Sequence, residues 1–387
     1  MPAAANCIFQ SSIFALYTAS GTTIPMKSRV LYIFPLAAIA LVQSLTAQSN
    51  LAGQKDSATF DADGTAHITR VVPMPATISP EAQKWLASLA QPPRRLGPET
   101  LAERRARTDI WRAQDSAEAR KIYPVNVEET SIAGVRTDII TPQAAPPLVN
   151  AEANRARVLI NLHGGGFNSD SGSLIEGVPI SNLAKIKVVS VYYRLAPENP
   201  FPAAVEDVVA VYKELLKTYK PQNIGIFGTS AGAILTGEVV VRLRQLGLPL
   251  PAALGIFSGL ADFSRPSDSR QIYALSGLAG ELEPLDSNNL PDDQYVGKTD
   301  RKDPVLSPLF ADLRGMPPSL LVTSTRDLLL SDTAIFHRAL LRAGTDAQLV
   351  VFEALPHAFW YHFQLPETKE ALELMAKFFD ARVGHQP

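Results

Sequence analysis

The sequence predicts an α/β fold in which a mostly parallel central sheet is flanked by helices. Short apolar runs recur along the chain: Val158–Leu162, Val188–Tyr192, Ile224–Phe227, Ala253–Phe257, Leu320–Thr323 and Leu349–Phe352. Continuous apolar runs of this length are typical of strands buried on both faces of a parallel sheet. Because helical patterns separate most of the runs, we expect helices on both faces and reactive groups at the carboxyl ends of the strands.

The predicted helices follow from apolar spacing and from start and stop residues. They are Ala203–Thr218, Ala231–Leu246, Asp332–Ala343 and Lys369–Arg382. Before the alternating region, two further strands, Val125–Glu129 and Val135–Ile140, are predicted on either side of a turn at Ala133 and Gly134.

Composition excludes several classes of function. The 387 residues carry 36 Lys and Arg against 38 Asp and Glu, so the basic surplus of a nucleic-acid-binding protein is missing. Cys7 is the only cysteine, which excludes an intramolecular disulfide and a cysteine-based zinc site. Neither an H-E-x-x-H motif nor a dinucleotide-binding glycine loop occurs. We therefore expect no metal and no organic cofactor.

The amino terminus has the layout of a secretory signal peptide. The apolar run Val30–Val42 follows Lys27 and Arg29 and precedes a short polar stretch that ends near Ala47. A bilayer span needs about 20 apolar residues, so a membrane anchor is the weaker interpretation. We expect a leader over 1–47, with Met26 as an alternative start, and export to the periplasm or the medium. Residues 48–73 are predicted to be a poorly ordered lead-in.

Residues 74–122 are predicted to be helical. Ser79, Pro80 and Glu81 resemble a helix start, and apolar residues follow at helical spacing. A second helix is predicted from about Glu99 to Lys121, where interleaved charges of both signs indicate a solvated face.

The motif G-x-S-x-G occupies residues 228–232, where the strand Ile224–Phe227 should turn into a helix. Glycines on both sides of Ser230 permit a sharp turn that lifts its hydroxyl off the sheet. The N–H of Ala231 then points into the same space. A glycine-rich turn without chemistry is the alternative, but the position between strand and helix favours Ser230 as a nucleophile.

Three glycines follow His163 at the carboxyl end of the predicted strand Val158–Leu162. Their unobstructed N–H groups suit the oxyanion of a tetrahedral acyl intermediate, where fixed donors lower the barrier. Gly165, Gly166 and Ala231 are the predicted oxyanion donors.

His357 and Asp327 each follow a predicted strand, and the chain order Ser, Asp, His is that of the α/β-hydrolases. His362 lies farther from the strand end and is expected to be a packing or surface residue. Asp332 is the rival acid, but its position resembles a helix start. The predicted triad is therefore Ser230, Asp327 and His357.

From about Val125 to its carboxyl terminus, the chain resembles the hormone-sensitive-lipase-like esterases of the α/β-hydrolase superfamily. The glycine loop, the Ser230 elbow and the segment Tyr193–Ala204 carry the resemblance. It implies an α/β-hydrolase catalytic domain over 123–387, and a helical cap over 74–122 to which 262–307 contributes. It also allows a homodimer formed through an edge strand near the carboxyl terminus.

The chain departs from the family pattern at the elbow and beyond it. Thr229 replaces the acid of the commoner GDSAGG, and Ala233 replaces its final glycine, which resembles a GTSAG variant group. Asn199 stands where a His is usual, and Leu328 where a Pro is frequent. These changes bear on the substrate and leave the reaction type intact.

The expected function is hydrolysis of short- to medium-chain carboxylic esters through an acyl-enzyme, with a small-molecule ester as substrate. A serine hydrolase for lactones, polysaccharide acetyl esters or peptides is the alternative, and a non-catalytic ligand-binding protein is a second one. Phe167, Phe359 and Trp360 flank the predicted site, where they could line the substrate pocket or pack in the core.

Overall fold

A computed structural model describes residues 56–90, 99–143, 156–282 and 293–384 of the chain. The predicted leader, 1–47, lies outside the described residues. The chain divides into two compact units, residues 1–73 and residues 74–387.

In the first unit, the lead-in contains a hairpin that the sequence analysis did not predict. Strand β1 (Ser57–Phe60) pairs antiparallel with β2 (Ala66–Thr69), and every residue of both strands is exposed. In the turn between them, the Asp63 carboxylate accepts a hydrogen bond from the Thr65 N–H at 2.9 Å. Because no face of the hairpin is buried, the sequence carries no apolar alternation that would indicate it.

The second unit contains an eight-stranded sheet in the order β10-β9-β8-β7-β5-β6-β4-β3. All neighbours are parallel except the two pairs that involve β4. The mostly parallel sheet is therefore confirmed. Its strands are β3 (Val125–Ile132), β4 (Val135–Pro142), β5 (Val158–Leu162), β6 (Lys187–Val191), β7 (Ile224–Thr229), β8 (Ala253–Phe257), β9 (Ser319–Ser324) and β10 (Ala347–Phe352).

Helices cover both faces of this sheet, and two separate apolar clusters fill the space between sheet and helices. The four predicted helices are present, with ends shifted by a few residues. The helices are α1 (Pro80–Leu89), α2 (Leu101–Ile122), α3 (Ser173–Ala184), α4 (Ala203–Leu215), α5 (Ala231–Gln245), α6 (Asp268–Ile272), α7 (Asp293–Val296), α8 (Leu330–Arg342) and α9 (Pro366–Arg382).

Helix α3 is the long element that the sequence analysis missed. Most of its residues are buried, and it contains Pro179. It also packs so close to the sheet that a Cβ on Gly177 would lie 2.6 Å from the Ile140 side chain. A helix that is apolar on every side has no 3.6-residue period, so its pattern does not distinguish it from a buried strand.

Helix α1 begins at the predicted start, and α2 begins at Leu101, two residues after the predicted Glu99. The Ser79 hydroxyl accepts a hydrogen bond from the Ala82 N–H in α1, and Thr100 forms a capping box with Glu103 at the start of α2. Ser79 also donates its N–H and hydroxyl to the Glu367 carboxylate in α9, at 2.7 and 2.9 Å. The first and last helices of this unit are thereby joined. Among the described residues, none of the helices has the length and apolar character needed to cross a membrane.

Candidate active site

Ser230 lies on a strained turn between β7 and α5. Its backbone angles are φ 59° and ψ −121°, a conformation that side-chain-bearing residues rarely adopt. The flanking glycines are required by space, because a Cβ on Gly228 or Gly232 would lie 2.3 or 1.8 Å from the Leu162 carbonyl oxygen. The strand-turn-helix context predicted for the motif is confirmed, and Ser230 stands at the amino end of α5.

The glycine loop lies directly beside this turn. A Cβ on Gly164 would lie 3.3 Å from the Ser230 Cβ, and Gly165 and Gly166 have φ values of 113° and 60°. The Gly165 carbonyl accepts hydrogen bonds from the Ser169 N–H and hydroxyl at 3.2 and 3.1 Å. These bonds orient the Gly165 carbonyl toward the following turn.

His357 and Asp327 form a hydrogen-bonded pair, with 2.9 Å between Nδ1 and Oδ1. The Asp327 carboxylate is completely buried. It accepts further hydrogen bonds from the Ser258 hydroxyl, from the Thr323 hydroxyl at 3.2 Å and from the Leu329 N–H at 2.8 Å. Such a carboxylate fixes the ring orientation and stabilises a positive charge on it.

Burial and hydrogen bonding act in opposite directions on Asp327. Burial by itself raises the pKa of this carboxyl, but the neighbouring His357 ring and the donors around it lower the pKa below its usual value. Asp327 is therefore ionised over the pH range in which His357 would work.

The two rival residues have other partners. Asp332 lies in the first turn of α8 and accepts a hydrogen bond from the Ser267 hydroxyl at 2.6 Å, and burial raises its pKa to about 6. The His362 ring packs against Trp85 with centroids 4.0 Å apart, and burial lowers its pKa to about 4. His362 is thus a packing residue, although it also reaches the cleft.

A cleft of about 610 Å³ opens above Ser230. Five of the predicted site residues line it: Gly165, Gly166, Ser230, Ala231 and His357. The segments predicted to form a cap contribute side chains to the same cleft, among them Trp85, Leu89, Trp111, Arg270 and Leu275. The candidate nucleophile, the candidate base and the candidate oxyanion donors therefore face one partly apolar space.

The three aromatic residues considered for the pocket lie elsewhere. Phe167 is buried and stacks on Tyr295 with ring centroids 3.5 Å apart. Phe359 and Trp360 are fully buried in the apolar cluster beneath the elbow. None of the three lines the cleft, so their placement corrects the pocket interpretation and supports core packing.

Helix α2 is tied to the glycine-loop side of the site through Arg105. Its guanidinium donates to the Asn168 carbonyl at 2.7 Å, to the Ala196 carbonyl at 2.9 Å and to both oxygens of Glu198. Nearby, Arg112 lies 3.3 Å from Asp170, the carboxylate that accepts hydrogen bonds from the first N–H groups of α3.

Several residues that shape the site could not be identified from the sequence. Ser258 follows β8 and has φ 52°, but an isolated Ser after a strand carries no distinguishing signal. Trp85 and Trp111 were recognisable as parts of helices, not as cleft residues. Within the described ranges, the structure contains no cluster of three or more His, Cys, Asp or Glu residues that could hold a metal ion.

Comparisons with known proteins show the family to which the chain belongs. The family profile of the alpha/beta hydrolase fold matches residues 159–361. An acetyl-hydrolase of Streptomyces hygroscopicus is 34% identical over 235 residues, which cover 59% of this chain and 77% of that protein. An esterase of Acinetobacter venetianus is 29% identical over 273 residues, 67% of this chain and 84% of that one.

Solved structures give the same result. The esterase E25 superposes with a TM-score of 0.69 and 33% identity, covering 81% of this chain and 98% of that protein. An esterase from the bacterial hormone-sensitive lipase family superposes with a TM-score of 0.65 and 30% identity, covering 79% and 99%. The chain therefore belongs to the alpha/beta hydrolase family, within its hormone-sensitive-lipase-type esterases.

Proposed function

We propose that the protein hydrolyses carboxylic esters through an acyl-enzyme formed on Ser230. One observation carries the proposal: a serine held on a strained turn shares its cleft with a histidine whose ring is hydrogen-bonded to a buried carboxylate. This combination of a nucleophile that lines the cleft, an oriented base and a buried acid is the arrangement that activates a serine hydroxyl.

In the first half of the reaction, neutral His357 accepts the hydroxyl proton through Nε2 while the Ser230 oxygen attacks the ester carbonyl. Asp327, hydrogen-bonded to Nδ1, stabilises the imidazolium that forms. The N–H groups of Gly165, Gly166 and Ala231 stabilise the oxyanion. The intermediate collapses when the C–O bond to the alcohol breaks, and His357 gives its proton to the leaving oxygen.

In the second half, His357 accepts a proton from water, and the water oxygen attacks the acyl carbon. The resulting intermediate breaks its bond to Ser230, whose oxygen regains the proton from His357. Enzyme and a free acid are the products, so atoms and charge balance over the cycle. Apolar cleft residues such as Trp111 and Leu275 suit a short- to medium-chain acyl or alcohol group.

Hydrolysis of p-nitrophenyl esters from acetate to laurate by purified residues 48–387 tests the proposal. We expect turnover by the wild type and loss of it in both Ser230→Ala and His357→Ala, because neither variant can form the acyl-enzyme. Turnover that survives in Ser230→Ala would refute the assignment of Ser230 as the nucleophile.

Rates on matched esters and anilides distinguish an esterase from a peptidase, since a peptidase should retain substantial anilide turnover.

We also propose that the protein is exported and loses residues 1–47. Amino-terminal sequencing of the protein recovered from the periplasm or the medium should begin near Gln48. An intact Met1 or Met26 would overturn the proposal.

A further inference from the structure

A second carboxyl group lies behind the nucleophile elbow, outside the cleft. Glu176 extends from α3 and is completely buried. One of its oxygens is hydrogen-bonded to the Thr229 hydroxyl, and the other accepts a hydrogen bond from the Asn161 side-chain amide at 3.0 Å. Thr229 is the last residue of β7 and directly precedes Ser230.

The groups that face Glu176 supply no positive charge. Thr229 and Asn161 are neutral. Asn161 accepts a hydrogen bond from the Ser190 hydroxyl of β6 at 3.0 Å, and Thr229 accepts one from the Trp360 indole N–H, also at 3.0 Å. The neighbouring Tyr361 phenol is buried, and burial raises its pKa well above the usual value, so it is neutral as well.

The carboxyl group in the loop before α3 has partners of its own. Asp170, in the loop that leads into α3, lies 3.3 Å from Arg112 and 3.7 Å from the His163 ring. Those two side chains lower its pKa despite its burial, so Asp170 is the ionised carboxyl of this region. Burial without a cation has the opposite effect on Glu176, whose pKa it raises to about 8.

We propose that Glu176 is a positioning residue of the elbow, which in its protonated form holds Thr229, and through it Ser230, in the reactive geometry. The inference rests on the proposed esterase function. The commoner GDSAGG elbow has an Asp at the position of Thr229. In this chain, the carboxyl group beside the elbow comes from Glu176 in α3 instead.

The hydrogen bonds explain why the proton matters. A protonated Glu176 can donate from one oxygen to the Thr229 hydroxyl oxygen and accept from Asn161 at the other, so both carboxyl oxygens have partners and no charge is buried. Loss of the proton leaves a charge on a side chain that has no solvent contact and that no cation among the described residues faces. Such a charge is tolerated only if the surroundings rearrange or admit water. The rearrangement would move the turn on which Ser230 lies.

The pH dependence of kcat tests this inference, measured from pH 5 to 10 with a saturating p-nitrophenyl ester. We expect the wild type to lose activity as the pH rises through about 8. Glu176→Gln keeps the shape and the donor but cannot ionise, so its kcat should stay level there. Glu176→Ala should lose about tenfold in kcat at pH 7 with little change in KM, because positioning errors at a nucleophile act on the chemical step.

Asp332→Asn is the matched control. Asp332 is another buried carboxyl with a raised pKa, but its partner is Ser267, and it does not contact the elbow. This variant should keep the alkaline loss of the wild type. An alkaline loss in Glu176→Gln equal to that of the wild type would overturn the proposal, as would a Glu176→Ala variant that is folded and fully active.

A measurement without substrate separates this inference from the proposed function. The Trp360 indole bonds to the hydroxyl that Glu176 holds, so the tryptophan fluorescence of the wild type should change through about pH 8, and the change should vanish in Glu176→Gln. If no ester is hydrolysed but the fluorescence difference is present, the proposed function fails, and the coupling between Glu176 ionisation and the elbow is upheld. Ester hydrolysis without the difference would overturn the inference alone.

Discussion

Ser230 and the pair of Asp327 and His357 stand at the same edge of the sheet, beyond β7 and beyond β9 and β10, but are held by different means. Main-chain packing holds Ser230, because Gly228 and Gly232 approach the Leu162 carbonyl so closely that no side chain fits. Side-chain and amide hydrogen bonds hold the pair of Asp327 and His357. Substitutions of the glycines around Ser230 should therefore damage the fold. Substitutions that affect the pair of Asp327 and His357 should instead lower turnover in a protein that still folds.

Gly232→Ala should have the largest effect, because the added Cβ would lie 1.8 Å from a backbone oxygen that cannot move away cheaply. We expect a loss of about 3 kcal/mol or more in the free energy of unfolding, with little active protein. Urea unfolding followed by circular dichroism measures it. Gly237→Ala, on the same helix, is the control, since its Cβ would meet only side-chain atoms, those of Pro308 at 3.3 Å and Phe336 at 3.5 Å. Equal stability of the two variants would contradict the packing argument.

Asp327→Asn should separate turnover from stability. An Asn amide can donate to His357 Nδ1 and so favour the ring tautomer that carries its proton on Nε2, which cannot accept the Ser230 proton. We expect kcat to fall by about 10⁴-fold and the melting temperature to fall less than in Gly232→Ala, because the cost is one buried Leu329 N–H that loses its acceptor. Steady-state kinetics and calorimetry on one preparation measure both. A melting temperature lowered as far as in Gly232→Ala would contradict the proposed difference between the Ser230 turn and the pair of Asp327 and His357.

Ser258→Ala removes one donor to the buried Asp327 carboxylate. A hydrogen bond to a charged group contributes about 1.5–3 kcal/mol, so we expect kcat to fall about tenfold. With fewer donors on its ionised form, the pKa of Asp327 rises, and the acid limb of kcat should shift to higher pH. Ser264→Ala is the control, because its hydroxyl bonds to Asp262. An acid limb that stays in place would show that Ser258 does not support the ionised carboxylate.

Arg105→Gln should have the smallest effect. It loosens the contact between α2 and the carbonyls of Asn168 and Ala196, and the Arg105 pair with Glu198 is partly exposed and therefore weak. We expect KM to rise about threefold with kcat nearly unchanged. A comparable fall in kcat would instead mean that the cap positions the glycine loop for chemistry.

The sequence predicted the sheet, most of its helices and the motif-bearing strand ends, because each has a local signal. Apolar runs indicate buried strands, and two glycines around a serine indicate a turn that only glycine permits. Glu176 could not be found in this way. Its role depends on a helix without amphipathic period and on a contact with Thr229, 53 positions away in the chain. Phe359 and Trp360 were misplaced for a similar reason, since nearness to His357 in sequence does not determine which side of a turn a ring occupies.

The hydrogen bonds between Ser79 and Glu367 join residues 288 positions apart. During synthesis, Glu367 emerges 288 residues after Ser79, and His357 emerges 127 residues after Ser230. Contacts of such long range are formed slowly. A nascent chain stalled between residues 230 and 357 therefore carries Ser230 but not His357, and it lacks the proposed base that would activate the serine.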